Sequence, residues 1–179
     1  MADAILVLNA GSSSIKYSLF VDAAGGPEFR LGGQIESLYT APRFTAKGAN
    51  GEKLDEKAWP EGTRLGHDGG IAHLAECPTL RELTLARHLT NAALIPLARV
   101  PNLERLNMLY SPGITSNGLA PLRGQRSLKV LLLGAIADKK CAEQLKYMPA
   151  LEEIGFWDDR PASIEFVRGL GEVKSLKRV

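Results

Sequence analysis

Cysteine and histidine are scarce in this chain, which has two cysteines and three histidines among 179 residues. Cys77 and Cys141 stand alone, with no CxxC pair and no histidine at ligand spacing. His67 and His73 have a spacing that places them on different faces of a helix. The sequence therefore predicts neither a zinc site nor a disulfide framework, and we assign no metal ligand. We expect Cys141 to be a buried free thiol and the histidines to be structural or solvated.

Long apolar runs are also absent. No stretch reaches the roughly 18 apolar residues that a bilayer-spanning helix needs. A secretory leader is not predicted either, because Asp3 places an acid at the start and the apolar run behind it stops at Asn9. We expect a cytoplasmic protein without a membrane partner.

Aromatic residues are few, at 6% of the chain, and the net charge is only +2. Basic residues are more frequent after residue 76, but acids such as Glu104 and Glu152 are interleaved with them. Neither a dense basic stripe nor an aromatic stacking platform accompanies them. We interpret the charges as a solvated face and expect no nucleic acid partner.

A short apolar run followed by a serine-rich turn opens the sequence. The runs 5–8 and 15–21 predict two strands of a hairpin with Asn9-Ala10-Gly11-Ser12-Ser13-Ser14-Ile15-Lys16 at its tip. Gly11 lets a ligand approach the backbone, the serine hydroxyls can donate to phosphate oxygens, and Lys16 supplies positive charge. Two interpretations stay open, a phosphate-binding loop and a polar hairpin tip followed by a solvent-facing lysine.

Further signals describe the rest of the first 76 residues. Asn50-Gly51 predicts a second hairpin turn, since both residues tolerate positive φ. Asp68 is interpreted as a helix N-cap. For this segment we predict a small, mostly antiparallel β-sheet with one helix.

The stretch Ile5-Leu6-Val7-Leu8-Asn9-Ala10-Gly11-Ser12-Ser13-Ser14-Ile15-Lys16-Tyr17 resembles the opening motif of acetate kinases, relatives of actin, hexokinase and the Hsp70 ATPase. Similar texture at 33–36, 42–46 and 66–74 extends the resemblance over residues 3–76. It implies that the loop lies near a transferred phosphoryl group and magnesium. The candidate phosphate-binding residues are Asn9, Gly11, Ser12, Ser14 and Lys16.

The chain departs from that family after Glu76. Phosphoryl transfer requires cations around the phosphoryl oxygens, an acidic magnesium ligand and a closed cleft. Acetate kinases supply these from downstream segments, and no counterpart of their His-Arg-Val-Val-His segment follows here. We therefore assign no catalytic residue and expect no cofactor. ATP and magnesium enter only in the alternative, in which the chain transfers phosphoryl between ATP and acetate.

Regularly spaced leucines dominate the second part of the sequence. Leu80, Leu103, Leu128, Leu151 and Leu176 are separated by 23 or 25 residues, and most are followed by further apolar residues three and five positions on. This pattern resembles leucine-rich repeats. The stretch 114–119 resembles the cysteine-containing class of these repeats. We predict an α/β chain in which residues 77–179 form a solenoid domain of four to five repeats, with parallel strands inside and helices outside.

Residues between the inward leucines would form the concave face of such a solenoid. The predicted partner-binding residues there are Arg105, Asn107, Val130, Leu132 and Trp157. In the alternative interpretation they pack against residues 1–76. The leading hypothesis is a non-catalytic protein-binding module or scaffold, monomeric or weakly oligomeric, and a further reading is a chain with no evolved function.

Overall fold

A computed structural model describes residues 4–72, 80–85, 87–157 and 162–179. Cys77 and His73 lie outside these ranges. Within them, none of the helices is long and apolar enough to span a membrane. The strands are β1 (Ala4–Ala10), β2 (Ile15–Ala23), β3 (Gly26–Glu36), β4 (Arg43–Gly48), β5 (Lys53–Ala58), β6 (Leu80–Thr84), β7 (Arg105–Asn107), β8 (Val130–Leu133) and β9 (Glu153–Phe156). The helices are α1 (Gly66–Ala72), α2 (Leu94–Leu97), α3 (Lys139–Leu145) and α4 (Ile164–Leu170), with 3₁₀ segments at Asn91–Ala93 and Ser116–Leu122.

All nine of these strands belong to one mixed sheet. Their order is β5-β4-β3-β2-β1-β6-β7-β8-β9, antiparallel from β5 to β1 and parallel from β1 to β9. The prediction of a small antiparallel sheet followed by a separate leucine-rich-repeat solenoid is therefore wrong. The physical reason lies in β1, whose second edge pairs with β6 instead of staying open, so that Leu6 and Leu83 meet in one core.

The core face of the parallel strands is built by one row of aliphatic side chains. Leu83, Leu106, Leu131 and Ile154 are neighbours in register on β6 to β9, and each is at most 2% exposed. Because side chains alternate along a strand, their sequence neighbours lie on the opposite, open face. The repeated leucines thus fix which face of each strand is buried.

Short helical segments connect the parallel strands on the core side. The first turns of α3 and α4 are capped by side chains, because Asp138 accepts a hydrogen bond from the Cys141 amide at 2.7 Å and Ser163 accepts one from the Phe166 amide at 3.0 Å. Phe166 and Cys141 are fully buried beneath them. The expectation of a buried Cys141 is confirmed.

Both predicted hairpins are present. β1 and β2 pair antiparallel from Ala10↔Ile15 outward, and β4 and β5 are joined by a turn in which Gly51 has φ +81°. This left-handed conformation is the reason the turn needs glycine. The local signals in the sequence therefore predict both hairpins correctly.

Helix α1 is tied to the chain that follows β6. Asp68 lies inside α1 and is not its N-cap, so that prediction is wrong. Its carboxylate accepts hydrogen bonds from the Thr90 amide at 2.9 Å and from the Thr90 hydroxyl at 2.7 Å. Nearby, the rings of His67 and His88 stack with centroids 5.2 Å apart. These contacts cross the predicted domain boundary at residue 76.

Candidate functional site

The serine-rich tip joins β1 to β2. The Gly11 amide donates a hydrogen bond to the Ser14 carbonyl at 2.8 Å, which closes the turn. Ser12 and Ser13 are exposed and Ser14 is half-buried. The loop therefore presents hydroxyl groups to solvent from a turn of defined shape.

Asn9 and Lys16 flank this tip and face each other across the hairpin. Both are exposed, whereas their neighbours Leu8 and Ile15 are buried on the core face. Alternation consequently directs Asn9 and Lys16 to the open face of the sheet. All five candidate phosphate-binding residues lie at one end of one hairpin.

A buried histidine on α1 hydrogen-bonds to the backbone of the tip. His67 is 3% exposed, and its Nε2 donates to the Gly11 carbonyl at 2.7 Å because a carbonyl can only accept. Nδ1 shares a hydrogen bond with the Tyr39 hydroxyl at 2.9 Å. A second bond to the tip comes from the Leu38 amide, which donates to the Ser13 carbonyl at 3.1 Å. Of the two roles expected for His67, structural or solvated, its burial and hydrogen bonds match the structural one.

The support that His67 and Tyr39 give to the tip was missed in the sequence. His67 and Gly11 are 56 residues apart, and Tyr39 and His67 are 28 apart. No local pattern links positions at such separations. The prediction of one helix in the first 76 residues did not indicate which of its side chains would be buried.

The tip is held in place by hydrogen bonds from outside the hairpin. The hydrogen bonds that hold the loop come from a histidine and a backbone amide. Across the described ranges, no cluster of three or more His, Cys, Asp and Glu side chains is placed to hold a metal ion. The tip presents the hydroxyls of Ser12 and Ser13 and the amine of Lys16 at the surface.

The second candidate set lies on the open face of the parallel strands. Arg105 pairs in register with Val130, and Asn107 with Leu132, on β7 and β8. All four side chains are half-buried, while Trp157, directly after β9, is 74% exposed. The structure thus brings four of the five predicted partner-binding residues side by side.

The apolar part of this surface is continuous from β8 toward β9. A Cβ added at Gly155 would lie 2.8 Å from Leu132 Cδ2, so the Leu132 side chain lies over Gly155. The Trp157 amide donates to the Leu133 carbonyl at 3.1 Å, which keeps the tryptophan beside the strand pair. Asn107 has a local role as well, because its Oδ1 accepts from the Leu109 amide at 3.0 Å.

The open face continues from β6 onto the N-terminal strands. Ile5 is paired with Glu82, and Val7, which is 42% exposed, is paired with Thr84. The described N-terminal strands therefore extend this face sideways in the same sheet. The tip residues Asn9 and Lys16 belong to the same face.

Ion pairs run along one end of the parallel strands. Glu104 accepts hydrogen bonds from Lys129 Nζ at 2.7 Å and from Arg81. The bond from Lys129 is the main cause that lowers the pKa of Glu104. Lys177 contacts Glu152 at 3.0 Å in the same manner at the start of β9. Several basic residues of this half are thus neutralised within the protein.

A comparison with curated proteins finds a relative for part of this chain. No family model matches the chain. The acetate kinase of Nitrobacter hamburgensis is 42% identical over 59 residues, which are 32% of this chain and 15% of that enzyme. The chain therefore contains an acetate-kinase-like segment and spans a small part of the relative's length. Neither comparison shows leucine-rich repeats.

Proposed function

We propose that this protein is a non-catalytic binding module that holds a protein partner on the open face of its parallel strands. The binding face is defined by Arg105, Asn107, Val130, Leu132 and Trp157. The observation that carries the proposal is the register pairing of Arg105 with Val130 and of Asn107 with Leu132, on the side of the sheet opposite the core.

The chemistry of the binding face suits an apolar anchor with a polar surround. Val130 and Leu132 form its half-buried centre, and Trp157 projects beside them. Tryptophan and arginine are enriched at the positions that dominate binding energy in protein interfaces, and an apolar centre with a polar rim is the usual composition of such a patch. Arg105 and Glu82 pair in register at one end of the face and supply charges of both signs.

The experiment compares partner capture by the parent chain and by two face variants, Leu132→Arg and Trp157→Ala. Partners crosslinked to the parent at the binding face should be lost in both variants, because one buries a charge and the other removes an anchor. Ile164→Arg is the control, since Ile164 begins α4 and is 65% exposed. Partners that both face variants retain would contradict the assignment.

The alternative is phosphotransfer, favoured by the match to acetate kinase over 59 residues. In that case Asn9, Ser12, Ser14 and Lys16 would lie at the phosphates of ATP. Calorimetric titration with ATP and magnesium, and an assay for acetyl phosphate, distinguish the two functions. Under our proposal the titration is flat. Acetyl phosphate formed by the parent and abolished in Ser12→Ala would reverse the ranking.

A further inference from the structure

A cavity of about 360 Å³ lies on the core face of the antiparallel strands, beside α1. It is on the opposite side of the sheet from the binding face, so it is independent of the function proposed above. Ligand sites for small molecules typically have volumes of about 300 to 1,000 Å³ and mostly apolar walls. The cavity falls at the lower end of this range.

The floor of the cavity is aliphatic. It is formed by side chains of β1, β2, β3 and α1, among them Leu8, Ile15, Ile35 and Ile71, each at most 7% exposed. Helix α1 comes close to the sheet at Gly70, where an added Cβ would lie 2.7 Å from Ile15 Cδ1. This close contact forms one side of the cavity. The cavity itself lies next to α1 on the same face of the sheet.

Aromatic rings form the outer walls. Tyr17 and Phe44 lie nearly parallel, with ring centroids 5.9 Å apart and planes inclined by 7°. Trp59, directly after β5, also lines the cavity. Lys57 Nζ lies 4.9 Å from the centre of the Trp59 ring. Flat walls of this kind favour a planar ligand, since stacked aromatic contacts add to the gain from burial.

The polar groups that line the cavity do not favour a charged ligand. The Tyr17 hydroxyl already donates to the Thr45 carbonyl at 2.9 Å. Burial, with a smaller effect of the Asp55 charge, raises the pKa of Tyr17 to about 12, so the phenol is neutral. At the mouth, Asp55 and Lys57 are both exposed and carry opposite charges. The cavity therefore has no excess charge with which to attract an ion.

We infer that this cavity binds an uncharged, planar, apolar molecule of about two aromatic rings, since a cavity of about 150 Å³ lined by similar side chains takes one benzene. The floor of Leu8, Ile15 and Ile35 buries the rings, and Tyr17, Phe44 and Trp59 surround them. Burial of apolar area on both partners is the driving force.

The test uses N-phenyl-1-naphthylamine, an uncharged two-ring probe that fluoresces in apolar surroundings, on the full chain. Saturable binding with one site per chain is expected. Leu19→Trp should weaken it about tenfold or more, because the larger side chain fills the cavity that Leu19 lines. The matched control is Phe20→Trp, since Phe20 contacts Phe29 edge-on and does not line the cavity. This control should bind the probe like the parent.

Trp59→Ala is a second variant, which decides the test if Leu19→Trp fails to fold. It removes part of an outer wall and should weaken the affinity for the probe severalfold. The anionic relative anilinonaphthalene sulfonate should bind more weakly than the neutral probe. Probe binding that is unchanged in Leu19→Trp and Trp59→Ala would overturn the inference. So would tighter binding of the anionic probe, or sedimentation showing that a second copy of the chain occupies the cavity and excludes the probe.

Discussion

The Cys141 thiol shows how strongly one position in this chain is determined by its surroundings. It is fully buried at the start of α3, and burial, together with the charge of Asp138, raises its pKa to about 12. Since the thiolate is the reactive form, both the raised pKa and the lack of access oppose modification.

We therefore predict that Cys141 resists thiol reagents in the folded protein. In a Cys77→Ser variant, which leaves Cys141 as its single thiol, the reaction with Ellman's reagent at pH 8 should be slower than that of a free thiol by about two orders of magnitude or more. Adding urea should accelerate it, because modification then follows unfolding. Rapid stoichiometric labelling without denaturant would contradict the buried placement.

At the scale of elements, neighbouring parallel strands are linked at one end by Glu104, which bridges Arg81 at β6 and Lys129 just before β8. The Lys129 hydrogen bond, the larger cause, lowers the pKa of Glu104, and the same bond raises the pKa of Lys129. The linkage sign follows from the carboxylate. The Glu104 carboxylate contributes stability above its pKa in the unfolded chain, which is about 4.3. This contribution is lost as the pH falls through the lower pKa of the folded protein.

We predict that Glu104→Gln lowers the free energy of unfolding at pH 7 by about 0.5 to 1 kcal/mol, an amount kept small by partial exposure of the pair. The difference from the parent should become smaller when the pH is lowered to about 3, because the parent carboxylate takes up protons as the pH falls through its folded pKa. Urea unfolding at both pH values measures this. The control is Glu143→Gln, because Glu143 is 3.9 Å from Lys139 on the surface of α3 and should have little effect. An equal loss at both pH values would refute the electrostatic explanation.

Many of the strands and turns were predictable, because neighbouring residues determine them. Local sequence patterns predict the strand at 5–8, the Asn50-Gly51 turn and the buried leucines of β6 to β8. The role of Asp68 was not predictable in this way. Its hydrogen-bond partner, Thr90, is 22 residues away in the sequence. An aspartate near the start of a helix does not indicate a contact with so distant a residue.

At the scale of the whole molecule, the pairing of β1 with β6 was not predictable. It joins residues such as Leu6 and Leu83, and nothing in the periodicity of either segment specifies the other as a partner. For the same reason, the sequence grouped Arg105, Asn107, Val130 and Leu132 on one face but did not indicate that Asn9 and Lys16 lie on the same side of the sheet. The division into domains at residue 76 remains a prediction.

The continuous sheet leads us to expect one cooperative unfolding transition. The experiment uses a Trp157→Phe background, so that Trp59 alone reports on the antiparallel half. Leu131→Ala in β8 creates a cavity in the distant parallel half, where Leu131 is 0% exposed, and should cost about 2 to 5 kcal/mol. The Trp59 fluorescence midpoint in urea should then fall together with the circular dichroism midpoint. A Trp59 transition that does not move would show two independent units.

The two margins of the sheet carry a consequence for the protein in concentrated solution. Every residue of β5 is exposed, and four of them, Lys53, Asp55, Glu56 and Lys57, are charged. At the other margin, the backbone of β9 is already engaged, because the Ile154 amide donates to the Arg178 carbonyl at 3.1 Å. Charged or occupied margins oppose the addition of a strand from a neighbouring copy. The protein is therefore protected at both sides against the edge-to-edge growth from which fibrils begin.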